Sequence, residues 1–427
     1  MTRLEYKMTE IGEMPEEWRT SELRKIFKII TGTTPSTKIK KYWTGGTLEW
    51  LTPKDLSQMN DNLIISPSER KVTTEALNES NLNLLPEGSI LISTRAPVGY
   101  VGINRAPITF NQGCKGLVPL VSEDYSSFFY AYYLKYKREF LNSVSSGSTF
   151  KELSKERLER LVIPIPPRLE QQKIAEILST ADETIRKVNE EITPTEKLKK
   201  GLMQTLLTKG IGHTKFKITE IGEIPEDWKI ANIRETTLLK GRIGWQGLTT
   251  KEYLKIGKYY LVTGTEFKDG AIDWRQCNFV SKERYEQDPN IQLKINDILI
   301  TKDGTIGKLA FVNSITLPAT LNSGVFVLRP FNNSYHPKFF FFILQSQYFK
   351  KFINTLKVGS TISHLYQYSF TNFTFPNPPL LEQHKIAEIL TTVDHKLELL
   401  RNKKTHLEEL KKGLMENLLT GRVRVKV

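Results

Sequence analysis

At 427 residues the chain has room for two to four domains, each able to bury its own core. A formal net charge of +14 suits a polyanionic partner without selecting one. Two cysteines, Cys114 and Cys277, exclude a disulfide framework and a cysteine metal cluster, as expected in a reducing compartment. Residues Met1 to Lys7 lack the apolar run of a signal peptide. The longest apolar patch, Phe339 to Leu344, is far short of the ~20 residues that span a bilayer, so a soluble, cytoplasmic protein is expected.

In chain order, Ile11-Gly12-Glu13-Met14-Pro15-Glu16-Glu17-Trp18 comes first, and Trp18 reads as an anchor tying this entry segment to a domain body. Thr31 to Ser36 reads as a loop, Gly88 to Thr94 as a turn entering a strand, and Arg95 to Gly99 as a loop again. Phe128 to Phe140 predicts an aromatic-rich helix. Leu161 to Pro167, with three prolines, predicts an extended connector that stops where a long helix begins.

That helix starts Pro166-Pro167-Arg168-Leu169-Glu170-Gln171-Gln172-Lys173-Ile174-Ala175 and ends at Lys199-Lys200-Gly201-Leu202-Met203 with Leu206-Leu207-Thr208 behind it. The pattern then repeats. The entry segment returns as Ile221 to Trp228, the strand as Asn296 to Lys302, and the helix start as Pro378-Pro379-Leu380-Leu381-Glu382-Gln383-His384-Lys385-Ile386-Ala387. The helix end returns as Lys411-Lys412-Gly413-Leu414-Met415. Between these matched frames the loops diverge: Gly45-Gly46-Thr47 and Thr52-Pro53-Lys54 have no clear twin, and Lys240-Gly241-Arg242-Ile243-Gly244-Trp245 belongs to the second half alone.

In the second long helix Ile386, Leu390, Val393, Leu397, Leu400, Lys404, Leu407, Lys411, Leu414 and Leu418 step by 4 and 3, the spacing of a coiled-coil seam with Lys404 and Lys411 as weak points. The first helix aligns Ile174, Leu178, Ala181, Ile185, Val188, Ile192, Thr195, Lys199, Leu202 and Leu206 with it, and carries Pro194 where a bend is expected. About 40 residues make a rod of about 60 Å whose apolar stripe needs cover. The two helices are therefore expected to pack antiparallel as a pseudo-two-fold pair; packing of each on its own domain, or between chains, is the alternative. The expected fold class is α+β, with two similar α/β domains separated by this pair. The four stretches are residues 1–165, 166–210, 211–377 and 378–427.

Variable domain, long helix, variable domain, long helix, with the motifs from Pro166 to Ala175 and Pro378 to Ala387, resembles the specificity subunit of type I restriction-modification systems. So do the Lys-Lys-Gly-Leu-Met helix ends and the Gly-Ser-Thr stretches at Gly147 to Thr149 and Gly359 to Thr361. The resemblance covers essentially the whole chain, and Pro194 is its one departure. It implies a non-catalytic protein. Each variable domain would be a target recognition domain reading half of a split DNA sequence, with the helices as spacer. It also implies two modification subunits, which carry S-adenosylmethionine and methylate adenine, and two restriction subunits that use ATP and Mg. The competing classes are a structural adaptor whose two domains bind protein, and an enzyme built around Asn377 to Pro379.

Reading a groove takes long donors near flexible loops. The candidates are Lys38, Lys40, Lys41, Lys54, Arg95 and Lys115 in the first domain, and Lys240, Arg242, Lys302, Lys308 and Lys357 in the second. Arg95 and Lys302 rank first because they follow matched strands. Asn377-Pro378-Pro379-Leu380 lacks the aromatic and the Gly-rich loop of an amino-methyltransferase. Gly304 to Lys308 is too short for a phosphate loop, and the histidines lack metal-ligand spacing.

Overall fold

The computed structural model describes residues 5–59, 62–145, 152–244, 247–356 and 364–426. It divides into two compact units, Met1–Glu190 with Arg401–Val427, and Glu191–Leu400. Each unit thus combines a globular part with a stretch of each long helix.

In unit 1 the central sheet runs Phe27–Thr31, Cys114–Pro119, Ile90–Ser93, Val101–Ile103, all antiparallel. Ile90, Leu91 and Ile92 are all buried, as an uninterrupted apolar strand requires when both faces are covered. Ile90 and Ile92 face the aromatic helix Ser127–Tyr136, while Leu91 joins Leu51, Leu85, Phe110 and Cys114 on the other side. A second sheet holds Arg70–Val72, Leu48–Leu51 and Thr109–Phe110, the last pair parallel. The predicted connector is a strand: Val162–Ile165 pairs with Arg19–Glu22, an edge position that tolerates Pro164.

Unit 2 repeats this plan. Thr237–Gly241, Val325–Pro330, Ile298–Thr301 and Leu309–Phe311 form the central sheet. Asn278–Val280, Tyr259–Val262 and Ala319–Leu321 form the second, again with one parallel pair. Ile298 and Ile300 face one core and Leu299 the other. Phe339 to Leu344 lies inside the helix Pro337–Gln345 and is buried throughout, because a helix apolar on every side has to be core. Among the described residues no helix is long and apolar enough to cross a membrane.

The long helices are Arg168–Lys209 and Leu380–Leu419. Within unit 1, Ile174 and Leu178 from the start of the first helix share a core with Met415, Leu418 and Leu419 from the end of the second. Within unit 2, Leu206 and Leu207 share a core with Ile386, Ala387 and Leu390. In each unit the helices therefore run antiparallel, and they pack on the globular part as well as on each other. All the apolar seam positions are buried or half-buried.

The seam lysines are paired. Buried Lys411 makes an ion pair with Asp182, whose other oxygen accepts the Tyr132 hydroxyl at 2.7 Å. The twin pair in unit 2 is Lys199 with Asp394 at 2.6 Å. A charge pair inside an apolar seam fixes register, since any slip would leave both ions buried alone.

Pro194 does not break the first helix, which runs unbroken to Lys209. It sits on the exposed side, where water can take the carbonyl that has lost its helical donor. Thr195, next to it, turns its hydroxyl to the Glu191 carbonyl at 2.7 Å. The Gly147 to Thr149 and Gly359 to Thr361 stretches lie outside the described residues.

Candidate nucleic-acid interface

The repeated motifs are the joints that hold each globular part to the helices. Trp18 is fully buried and its indole Nε1 donates to Glu170 Oε2 at 2.9 Å; Trp228 donates to Glu382 Oε2 at the same distance. Gln171 accepts the Ser126 amide at 2.9 Å and donates to the Pro166 carbonyl at 2.9 Å, so it fixes the start of the aromatic helix against the start of the long one. Gln383 does the same with the His336 amide at 2.7 Å and the Pro378 carbonyl at 2.8 Å.

Glu170 and Glu382 also hold the chain that follows the end of the other helix. Arg424 Nε donates to Glu170 Oε1 at 2.7 Å, and the two acids Glu170 and Glu17 hold its guanidinium more firmly protonated than usual. At Glu382 the corresponding partners are the Ile211 amide and His213 Nε2, both at 2.9 Å. The helices end on Gly210 and Gly421, both at positive φ. A Cβ on Gly210 would come within 2.6 Å of Trp228, and one on Gly421 within 2.4 Å of Pro15. Asn377, tested in sequence as a methyltransferase residue, accepts from Gln383 Nε2 at 2.8 Å and belongs to this joint.

On this frame the described candidate cations fall into four groups. Lys38, Lys40 and Lys240 are exposed and make no ion pair among the described residues. Lys41, Lys54 and Arg95 are exposed but neutralised, by Glu79 at 2.5 Å, Glu69 at 2.6 Å and Glu152 at 3.1 Å. Lys302 is half-buried over the Phe326 ring at 5.0 Å, and Lys308 reaches the Gly264 carbonyl at 3.4 Å. Lys357 lies outside the described residues.

The last group is internal. Lys115 is 4 % exposed, donates to the Gln112 carbonyl at 3.2 Å, and burial lowers its pKa. Arg242 is 1 % exposed; its guanidinium donates to the carbonyls of Leu321 and Arg284 and to Thr320 Oγ1, at 2.8 to 3.3 Å. Neither can reach a groove from there, and Arg242 instead ties the end of the central-sheet strand Thr237–Gly241 to the second-sheet strand Ala319–Leu321 and to the segment around Arg284.

Arg95 and Lys302 are not twins. At the strand ends, the carbonyls of Thr94 and Lys302 accept the amides of Leu153 and Leu365 at 2.8 and 2.7 Å. The residue after each makes a side-chain contact across an isolated bridge: Arg95 forms an ion pair with Glu152, and Asp303 Oδ1 meets His364 Nδ1. The bridge is kept with an aspartate in the place of the arginine, so Arg95 serves the frame.

The profile of the family described as "Type I restriction modification DNA specificity domain" matches twice, over residues 15–194 and 214–409. The chain belongs to that family. It is 30% identical over 99% of its length, and 97% of the relative's, to the MjaIX type I restriction enzyme specificity subunit of Methanocaldococcus jannaschii. It is 29% identical, with the same coverage, to the MjaVIII specificity subunit of that organism. In structure it is similar to the S subunit of a type I restriction-modification system from M. genitalium, with a TM-score of 0.63 and 19% identity, covering 94% of this chain and 96% of the other.

For a DNA specificity domain the informative cations are those the frame leaves unpaired, and the sequence reading missed one of them. Arg70, on the edge strand Arg70–Val72, places its guanidinium carbon 3.8 Å from the Trp43 ring centroid and 5.1 Å from that of Trp50. The two indoles meet edge to face at 5.1 Å. No spacing rule brings residues 43, 50 and 70 together; sheet pairing does. In unit 2 the exposed rings of Tyr366 and Tyr368 stack at 5.6 Å beside Leu365, also without a sequence signal. Among the described residues no three His, Cys, Asp or Glu side chains gather as a metal site, and burial pushes the Cys277 thiol up to about 12.

Proposed function

We propose that this chain is the non-catalytic DNA-recognition subunit of a type I restriction-modification complex. Each unit reads one half of a split duplex sequence, and the long helices set the gap between the halves. They also seat two adenine methyltransferase subunits, and two restriction subunits complete the complex. S-adenosylmethionine, ATP and Mg belong to those partners, and the complex works in the cytoplasm.

The observation that carries this reading is the twofold match to a DNA specificity domain on a frame whose joints repeat residue by residue while its surface cations do not. The relatives in Methanocaldococcus jannaschii are named as specificity subunits of type I restriction enzymes. A duplicated frame with unlike loops is what two different half-sites require.

Methylome sequencing of the host supplies the target as a split motif methylated on both strands. Gel-shift titration of the chain with its methyltransferase partner then tests binding. Affinity specific to that duplex and falling steeply with salt is expected. A complex indifferent to DNA would leave the adaptor reading, and binding of labelled S-adenosylmethionine to the chain alone would favour the enzyme reading.

A further inference from the structure

Trp50 is 3 % exposed and packs in a small core with Tyr42, Val72, Ala76 and Leu82, while half-buried Trp43 and exposed Arg70 complete a cage at its edge. Arg70, Trp50 and Thr109 form one cross-strand row of the second sheet, and the equivalent row in unit 2 is Asn278, Leu261 and Thr320. The threonine is kept; the arginine and the tryptophan are not. Both indoles are fixed by their own hydrogen bonds, Trp43 Nε1 to the Ser36 carbonyl at 3.2 Å and Trp50 Nε1 to the Thr33 carbonyl at 3.1 Å. The loop supplying both carbonyls continues into the unpaired Lys38 and Lys40.

The acids around this cage are already engaged. Glu49 accepts from Ser68 and pairs with Lys71 at 2.7 Å, Glu69 pairs with Lys54, and Glu79 pairs with Lys41. Arg70 is exposed, and among the described residues its guanidinium donors meet neither a carboxylate nor a carbonyl. Stacking on indole restricts where the planar fork can point and leaves its N–H edge free. A held, unneutralised, outward-facing guanidinium matches the paired acceptors O6 and N7 of guanine in the major groove.

We propose that Arg70 is a specificity-determining residue that reads one guanine of the half-site recognised by unit 1, with Trp43 and Trp50 as its positioning clamp. This rests on the DNA-recognition function above. The test uses the full chain assembled with its methyltransferase partner, on a panel of duplexes in which each base pair of both half-sites is replaced in turn. Arg70→Ala and Arg70→Lys are each expected to weaken binding to the intact target by roughly 10- to 100-fold. That loss should vanish on duplexes in which one particular G·C pair has already been replaced, and persist on all the others.

Near-normal affinity for Arg70→Lys, or an equal loss on every duplex with a salt dependence reduced by about one ion, would make Arg70 a phosphate contact and overturn the proposal. No loss in either variant would make it a surface cation resting on tryptophan. If Arg70→Ala lowers the melting temperature, Arg70→Lys, which keeps the stem and charge, still decides. A wild-type complex with no preference for any duplex would sink the DNA-recognition function itself.

Discussion

At the residue scale, the two Glu-Gln pairs explain why motifs far apart in sequence occur together. Glu170 is nearly fully buried and holds Trp18 and Arg424 at once, so truncating it leaves an indole donor and a guanidinium without their acceptor. Glu170→Ala is expected to destabilise unit 1 by on the order of 3 kcal/mol, read by urea denaturation. An unchanged midpoint would mean the joint contributes little.

The His336 ring gives unit 2 a pH dependence. It caps the helix Pro337–Gln345, and burial, helped by His384 at 4.1 Å between ring centroids, holds its pKa below the ordinary imidazole value. The neutral ring's contribution is fully present above the unfolded pKa of about 6.5 and is lost as pH falls toward the folded value, because the unfolded chain binds the proton first. Melting temperatures of the wild type should therefore fall between pH 7 and 5. His336→Asn, which keeps a capping acceptor, should flatten part of that fall, and parallel curves would exclude His336 as the source.

At the element scale, the long helices owe their antiparallel registration to a mostly apolar seam interrupted by paired ions. Leu397 is almost fully buried in that seam, so Leu397→Asp should place a charge among apolar side chains and cost several kcal/mol. Circular dichroism showing an unchanged melt would refute the packed pair. Pro194 makes the opposite prediction. It costs the first helix a hydrogen bond in an otherwise regular run, and Pro194→Ala should raise stability by up to about 3 kcal/mol. A melting temperature that does not rise would mean the surrounding helix has fully adapted to the ring.

At the scale of the whole molecule, the proposed spacer role can be measured. Removing seven residues at matching levels of both long helices keeps the seam in phase and shortens each by about 10.5 Å. That is close to three base-pair steps of duplex. The recognised gap is expected to change by about that amount while each half-site stays the same, as read by methylome sequencing; an unchanged gap would refute the ruler.

What the sequence determined by itself was everything carried by repetition and period. The duplicated frame, the strands at Ile90 and Ile298, the two long helices and their seam follow from 3.6- and 2-residue spacings that side-chain burial imposes locally. The candidate interface was only partly legible. Lys38, Lys40 and Lys240 are exposed and make no ion pair among the described residues, whereas composition could not tell that Arg242 and Lys115 fold inward. It could not tell either that Arg95 and Asp303 occupy one slot with opposite charge. Those outcomes depend on which carbonyls and carboxylates neighbouring strands bring within about 3 Å, and strand pairing is non-local. Tertiary structure alone decided that Trp18 and Trp228 hang on the glutamates of the helix starts, and that Arg70 stands clamped with its donors free.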